Sequence, residues 1–174
     1  MLTSILKQKK QAVLDGWFSQ IIDTYPSGST KFLAGEKDRF ANPVGSTFRT
    51  ELEIVYDAFL SDMNTECVAA SFDRINRIRA VQDFSASQAV AFIFFLKTVI
   101  RRELAEEISG ESGITEEILA LESRIDTLAL LAFDSFMLCR ERLFEVRCND
   151  IKRQASLATA RTVKTLPSKS EGDQ

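Results

Sequence analysis

The sequence contains no histidine among its 174 residues. This absence excludes His-based acid–base catalysis, Ser-His-Asp and Cys-His nucleophiles, the proximal ligand of ordinary haem globins and the Glu-x-x-His pairs of di-iron bundles. Carboxylates remain as candidates for hydrolysis, and Glu103, Glu106, Glu107 and Asp134 are examples. We interpret them as a solvated charged face, so we expect no catalytic residue and no enzymatic activity. Two acids buried together in a cleft would reopen the enzymatic alternative.

Cysteine is also scarce. Cys67, Cys139 and Cys148 are odd in number and widely spaced, which favours reduced thiols over a disulfide framework. On one helix, Cys139 and Cys148 would point to opposite sides, because nine residues at 100° each amount to two and a half turns. We therefore expect no metal site. The sequence shows no glycine-rich phosphate loop either, and no cofactor is expected.

Neither charge nor hydropathy indicates a nucleic acid or a membrane as partner. The net charge is −3 and the isoelectric point is about 5.2, with no concentrated basic face. The longest apolar run, from Ala89 to Leu96, is far shorter than the roughly twenty residues that a membrane span needs. The first residues lack the apolar core of an export signal, so we expect a cytoplasmic protein.

Apolar residues spaced by three and four positions predict an all-α protein of about five to six helices with a long C-terminal helix. We expect helices near residues 3–24, 43–63, 65–81, 86–109 and 115–151. The stretch between the first two is expected to be irregular, with Phe32, Leu33 and Phe40 against the core. Residues 1–152 would form one domain, and residues 153–174 a flexible or partly helical tail.

The fourth predicted helix has a recognisable start. Ser85 and Gln88 have the spacing of a capping box, so the helix should begin at about Ala86. The apolar run from Ala89 to Leu96 then covers every face of two turns. This pattern is typical of a core helix enclosed on all sides.

Five arginines flank this helix and allow two interpretations: Arg74, Arg77, Arg79, Arg101 and Arg102. They could bind an anion or an acidic partner. Acidic residues alternate with them, however, so we favour surface ion pairs within the chain.

The long fifth helix has apolar residues on more than one face. We predict that Leu128, Leu131, Phe136 and Met137 contribute to a homodimer interface. The alternative is that the first four helices cover all of these residues. A polar row at spacings of four and seven should form the solvated side of the helix: Ser123, Thr127, Asp134, Glu141 and Glu145.

Two segments resemble the RsbRD N-terminal domain family, the sensory N-terminal halves of RsbT co-antagonist proteins in bacterial stressosomes. They read FANPVG from Phe40 and RIRAVQDFSASQAV from Arg77. The motif residues that carry the resemblance are Asn42, Pro43, Gly45, Arg79, Gln82, Asp83, Phe84 and Gln88. The resemblance covers roughly residues 9–121 and implies a globin-like fold without haem that dimerises through its last two helices.

The resemblance further implies a non-catalytic sensory or regulatory protein in stress-response signalling, with a protein partner from that pathway. A small-molecule ligand is compatible with it, and we expect its pocket near Trp17, Phe92 and Phe95. In the family, the last helix leads into a STAS domain. The sequence ends at Gln174 before such a domain, so we expect output through the dimer, the long helix or the tail. The alternative is an accessory scaffold protein that docks on a larger enzyme or electron-transfer complex through its C-terminal tail.

Overall fold

The structure, a computed structural model, describes residues 1–35, 40–82, 84–110 and 114–165. These residues form helices and contain no strand, which confirms the all-α class. In chain order the helices are α1 (Leu2–Gln8), α2 (Lys10–Ile22), α3 (Ser27–Gly35), α4 (Pro43–Phe59), α5 (Thr65–Val81), α6 (Ala86–Val90), α7 (Phe92–Glu103), α8 (Ala105–Gly110) and α9 (Ile114–Thr165).

Side-chain caps set the starts of three helices. Asn42 Oδ1 accepts the Gly45 N–H at 2.8 Å before α4, and Asn64 Oδ1 accepts the Cys67 N–H at 3.1 Å before α5. Before α6, Ser85 and Gln88 form both hydrogen bonds of a capping box. Each cap satisfies N–H groups that have no partner within the helix. The predicted starts at residues 43, 65 and 86 are therefore confirmed.

Two predicted helices are divided. The first is interrupted at Lys9 between α1 and α2, and the fourth at Ala91 and again at Leu104, where α7 gives way to α8. Lys9 has backbone angles outside the helical region, and its Nζ reaches the carbonyl of Glu103 and the carboxylate of Glu107. Long-range contacts, which spacing alone does not show, thus accompany the break at Lys9.

The stretch expected to be irregular contains a helix, α3. The Pro26 carbonyl accepts N–H bonds from Ser29 at 2.8 Å and Thr30 at 3.2 Å, so this proline stands at the entrance of a helix. Leu33 is buried as predicted, whereas the prediction for Phe40 is wrong, since its side chain is 94% exposed. The side chain of Phe32 lies outside the described residues.

Contacts along the chain divide it into two units, Met1–Cys139 and Arg140–Gln174. In the first unit, α2 packs against α4 and α7, and α4 packs against α5. The largest apolar side chains of its core are Trp17, Phe48, Tyr56, Phe59, Phe72, Phe92 and Phe136. Along α4 the buried side chains include Phe48, Leu52, Val55 and Phe59, and along α5 they include Val68, Phe72 and Ile75.

Within the first unit, α9 lies against α5 and α7. Lys97 pairs with Asp126 at 2.7 Å and Arg101 with Glu122 at 2.6 Å, so α7 and α9 run antiparallel. On the other side, the Asn76 amide donates to the Ala132 carbonyl at 2.9 Å. These contacts bury one row of α9: Leu121, Ile125, Leu128, Ala132, Phe136 and Cys139.

The predicted solvated row on this helix is confirmed, because Ser123, Thr127, Asp134, Glu141 and Glu145 are all exposed. The second unit is helical as far as Thr165, so the helix runs beyond the predicted end at Ile151. Its exposed large apolar side chains are Phe144, Val146, Ile151 and Leu157. Residues 166–174, the end of the expected tail, lie outside the described part.

The expectation of a core helix enclosed on every side is wrong at one position. Ile93, Leu96, Val99 and Ile100 are buried, but Phe94 is 46% exposed. The reason is that α2 and α9 cover two sides of α7 and leave a third side open. The Phe94 ring lies there beside the ammonium of Lys97, at 5.7 Å.

Candidate functional site

The two segments that carry the family resemblance meet at one corner of the first unit. Buried Asn42 donates from Nδ2 to the Leu33 carbonyl at 2.9 Å while its Oδ1 caps α4. Pro43 occupies the first helical position. A Cβ at Gly45 would collide with the Asn42 amide, so only glycine allows this approach. Asn42 thereby joins the end of α3 to the start of α4.

Arg79, in the last turn of α5, is the centre of the second segment. Its side chain is 0% exposed. Nη1 donates to the carbonyls of Gln88 at 3.1 Å and Ala89 at 3.4 Å, near the end of the short helix α6. The last carbonyls of a helix have no partner within it, and a cation there is favourable. Arg79 therefore connects α5 to α6.

Four aromatic rings surround the Arg79 guanidinium. Its Cζ lies 4.9 Å from the ring centroid of Phe84, 5.0 Å from Phe92, 5.5 Å from Phe48 and 5.8 Å from Tyr25. Cation–π contacts of this kind contribute up to about 2 kcal/mol each when desolvated. The rings thus replace part of the hydration that the guanidinium loses.

No carboxylate of the described residues pairs with Arg79. Its Nε and Nη2 are buried and have no hydrogen-bond partner there. Burial lowers the pKa of Arg79, and nearby Tyr25 opposes this only in part. Removing an ion from water costs several kcal/mol unless its partners compensate for the lost hydration. The two carbonyls and the four rings therefore compensate for the burial of Arg79 only in part.

The other four arginines of this group form ion pairs within the chain, as predicted, although the Glu51 partner of Arg74 is buried and not on the surface. Arg74 pairs with Glu51, Arg77 with Asp73, Arg101 with Glu122 and Arg102 with Glu103, at 2.6 to 3.0 Å. For Arg79 the predicted ion pair is absent from the described residues, so the prediction is wrong there. The reason is that Arg79 continues the buried row of α5 through Val68, Phe72 and Ile75. That register, with spacings of four, three and four, is the sequence signal that would have identified it.

Tyr25 and Phe84 separate the Arg79 guanidinium from the surface. Their rings meet edge to face with centroids 5.6 Å apart, and the Tyr25 hydroxyl donates to Gln82 Oε1 at 3.0 Å. Burial raises the pKa of Tyr25, and the Arg79 charge opposes this. The motif residue Gln88 acts in the capping box and through its carbonyl, whereas Asp83 lies outside the described residues.

Two neighbouring grooves lie on the outer side of Tyr25. One has a volume of about 460 Å³ and the other about 350 Å³. The larger is lined by Thr24, Tyr25, Pro26, Ser29, Gln82, Phe84 and Gln88. The smaller is lined by Tyr25, Gly28, Ser29, Leu33, Val44 and Gln82. Tyr25, Ser29 and Gln82 belong to both, so the grooves share a wall.

The structure brings together two of the three residues predicted to line a ligand pocket. Trp17 and Phe92 are fully buried, their rings stack with centroids 6.3 Å apart, and Trp17 Nε1 donates to the Phe92 carbonyl at 2.6 Å. Phe95 is half-buried one turn along α7. A ligand at these residues stays a prediction. The groove beside Tyr25 was not predicted from the sequence.

The residues predicted for the dimer interface differ in their exposure. Leu128 and Phe136 are buried within the first unit, Leu131 is half-buried and Met137 is 38% exposed. Two residues outside the predicted interface set, Leu130 and Phe133, are more exposed than Met137. Residues 130, 133 and 137 follow the three-four spacing of one helical face, and that spacing would have separated them from the buried row.

Among the described residues, no cluster of three or more Cys, Asp and Glu side chains is arranged to hold a metal ion. Nor does any helix in that part of the chain combine the length and apolarity that crossing a membrane requires.

Comparison with known proteins gives one match. The family model described as "RsbT co-antagonist protein rsbRD N-terminal domain" matches residues 11–149. No curated protein and no solved structure matches the chain. The matched range includes both motif segments and the whole of α9 within the first unit.

Proposed function

Since the chain belongs to the RsbT co-antagonist protein rsbRD N-terminal domain family, we propose that it is a non-catalytic sensory or regulatory domain that signals through a helical homodimer. The family is one of sensory domains of stressosome-related proteins. A signalling protein as partner and a cytoplasmic location are parts of the same proposal. The globin-like arrangement implied by the resemblance is consistent with the all-α fold.

The observation that carries the proposal is an exposed apolar face on the first unit, which we call the outer face. It comprises Leu130, Phe133 and Met137 of α9 and Phe94 of α7. Leu130 is 68% exposed, and the side chains of the other three are 38–46% exposed. Because Lys97 pairs with Asp126 and the helices are antiparallel, Phe94 lies beside the turn of α9 that contains Leu130. Exposed apolar side chains that are grouped in this way mark interaction sites, whereas isolated ones do not. The exposed Thr127 and Asp134 lie on the same side of α9 as Leu130, so they would belong to the border of this face.

We infer that the outer face contacts the same face of a second copy of the chain. A two-fold dimer brings the same apolar patch of both subunits together, so a single patch suffices to form the interface. The Lys97–Asp126 ion pair lies beside Phe94, and a charged pair at this place fits the polar rim of an interface. The buried row of α9 meanwhile holds the helix against α5 and α7. A change within the unit can thus reach the outer face through α9.

Sensing would require two arrangements of this interface. A ligand or partner shifts their populations only if it binds one arrangement more tightly than the other. Buried Phe92, which contacts both Trp17 and Arg79, lies two residues before Phe94 of the outer face. This short path along α7 supports coupling between the Arg79 corner and the dimer.

Native mass measurement of the protein purified without added ligand tests the proposal. We expect a dimer in the wild type and a monomer in Leu130→Glu and Phe133→Glu, because a carboxylate in an apolar interface is left without a partner. Phe40→Glu is the matched control: it introduces the same charge at an exposed aromatic outside the outer face and should remain dimeric. A strictly monomeric wild type would contradict the proposal.

The second candidate function, docking on a larger complex through the C-terminal tail, has one observation in its favour. The tail exposes Leu157, and Phe144 and Ile151 are exposed on the helix that leads into it. Deleting residues 153–174 distinguishes the two. Loss of partner capture with an intact dimer would favour docking, and unchanged capture would favour sensing by the first unit.

A further inference from the structure

Arg79 presents an unused binding edge. Nη1 is occupied by the Gln88 and Ala89 carbonyls, while Nε and Nη2 have no partner among the described residues. In a planar guanidinium, the N–H of Nε and one N–H of Nη2 point the same way and form a two-pronged donor edge. This is the edge that a carboxylate accepts with both oxygens.

The surroundings of this edge are apolar, and they adjoin a groove. Tyr25 and Phe84 flank the guanidinium and also line the groove of about 460 Å³. Phe84 lies outside the helices, directly before Ser85, the cap residue of α6. Arg79 itself is fully buried and does not line the groove, so a ligand that reaches Nε and Nη2 from the groove would have to displace the Phe84 ring.

We propose that Arg79 anchors a binding site for a small monocarboxylate with an apolar body, which enters through the groove beside Tyr25 and Phe84. The carboxylate would occupy the Nε–Nη2 edge, and the apolar body would lie against Phe84 and Pro26. This names the ligand class of the sensory function proposed above, and its signalling role rests on that proposal.

A monocarboxylate fits the charge of the site. One negative charge balances the single charge of Arg79, and a bidentate ligand satisfies both unpartnered nitrogens at once. Divalent phosphate would bring a second charge against the rings of Phe48, Phe84 and Phe92, where no described cation other than Arg79 is placed to balance it.

A purely structural Arg79 is the competing explanation. Its bonds to the Gln88 and Ala89 carbonyls join α5 to α6, and the aromatic rings compensate part of its burial. In that role, Nε and Nη2 remain buried without hydrogen bonds, which lowers the stability of the fold. A ligand that accepts hydrogen bonds from both nitrogens would restore this stability. The two explanations differ in whether an added carboxylate stabilises the protein through Arg79.

Thermal unfolding of the full chain with sodium benzoate provides the test. We expect the wild-type midpoint to rise by about 3–5 °C at ten times the dissociation constant, as linkage predicts for a protein of this size. Benzamide, which is neutral and of the same shape, and inorganic phosphate at equal ionic strength should give no such rise.

Substitutions at Arg79 and in the groove test whether benzoate binds there. Arg79→Lys keeps the charge but loses the two-pronged edge, so the benzoate dissociation constant should rise at least about tenfold. Arg77→Met removes one exposed positive charge from the same helix and should bind benzoate like the wild type. If Arg79→Lys does not fold, Ser29→Trp at the exposed wall of the groove should weaken binding to a similar degree.

Several outcomes would overturn the site: no benzoate shift in the wild type, equal shifts in wild type, Arg79→Lys and Ser29→Trp, or a shift by benzamide or phosphate as large as that by benzoate. Native mass measured on the same samples separates the two proposals. If the protein is a dimer and benzoate does not raise its unfolding midpoint, the proposed function stands and the ligand site is wrong. If the protein is a monomer and benzoate raises the midpoint only when Arg79 is present, the ligand site stands and the homodimer is wrong.

Discussion

The indole N–H of Trp17 donates to the main-chain carbonyl of Phe92 across 2.6 Å, and the two rings stack. The bond joins α2 to the first residue of α7, directly after the interruption at Ala91. The Phe92 ring also flanks the Arg79 guanidinium at 5.0 Å. Trp17 therefore positions the residue that connects the Arg79 corner to the helix of the outer face.

Trp17→Phe should lower the free energy of unfolding by about 2–4 kcal/mol, since it removes a buried hydrogen bond and leaves a cavity. Urea unfolding followed by circular dichroism measures the change. Phe94→Leu, at an exposed position on α7, should cost clearly less. Equal effects of the two substitutions would show that the Trp17–Phe92 contact has no special importance.

Gly45→Ala should lower the free energy of unfolding by about 2 kcal/mol or more, although the same substitution within a helix usually stabilises it. The added Cβ would collide with the Asn42 amide and lie 2.8 Å from the Leu33 carbonyl. Gly28→Ala is the matched control, because a Cβ there meets nothing within 4 Å, and it should stabilise α3 by roughly 0.5–1 kcal/mol. Denaturant midpoints of the two variants should move in opposite directions.

Thiol reactivity should report the docking of α9. Cys67 is exposed, Cys148 half-buried and Cys139 buried, with its Sγ 3.6 Å from Asp73 Oδ1. We expect Ellman's reagent to modify Cys67 first and Cys139 only when α9 separates from α5, because the thiolate needs access to the reagent. Mass spectrometry of partly labelled protein identifies the order. Early labelling of Cys139 in the native protein would contradict the packing.

Stability should fall at acidic pH, in part through Glu117. Its Oε2 accepts the Leu2 N–H at 2.8 Å and the ammonium of Met1 at 3.1 Å, and these contacts lower the pKa of Glu117 below the ordinary 4.5. A depressed carboxyl pKa contributes stability above the unfolded-state value, and this is lost as the pH falls through the folded-state value.

Glu117→Gln should therefore flatten the decline in unfolding free energy below pH 4.5 and lower stability at neutral pH. Because the group is exposed, the change at neutral pH should be small. Glu116→Gln, one residue earlier and exposed, is the control. If the unfolding free energies of both variants depend on pH in the same way, Glu117 does not contribute to the acid sensitivity.

Sequence reasoning succeeded where the relevant contacts are local. The caps at Asn42 and Ser85 join residues only three positions apart, so the starts of α4 and α6 could be predicted. It failed at Phe40 and Phe94, since the exposure of both depends on which helices lie alongside. It also failed at Arg79, because an arginine near acidic residues in the sequence need not meet one in the fold.

The sequence by itself determined the all-α class, the main helix starts and the absence of histidine chemistry, because these follow from residue types and from hydrogen bonds within a few positions. Tertiary structure alone decided which apolar row of α9 is buried and which is exposed, since α5 and α7 cover only one side of that helix. It likewise decided that four rings enclose the guanidinium of Arg79 and that its Nε and Nη2 have no partner among the described residues. Burial and charge pairing depend on residues far apart in the chain, and their positions are settled only by packing.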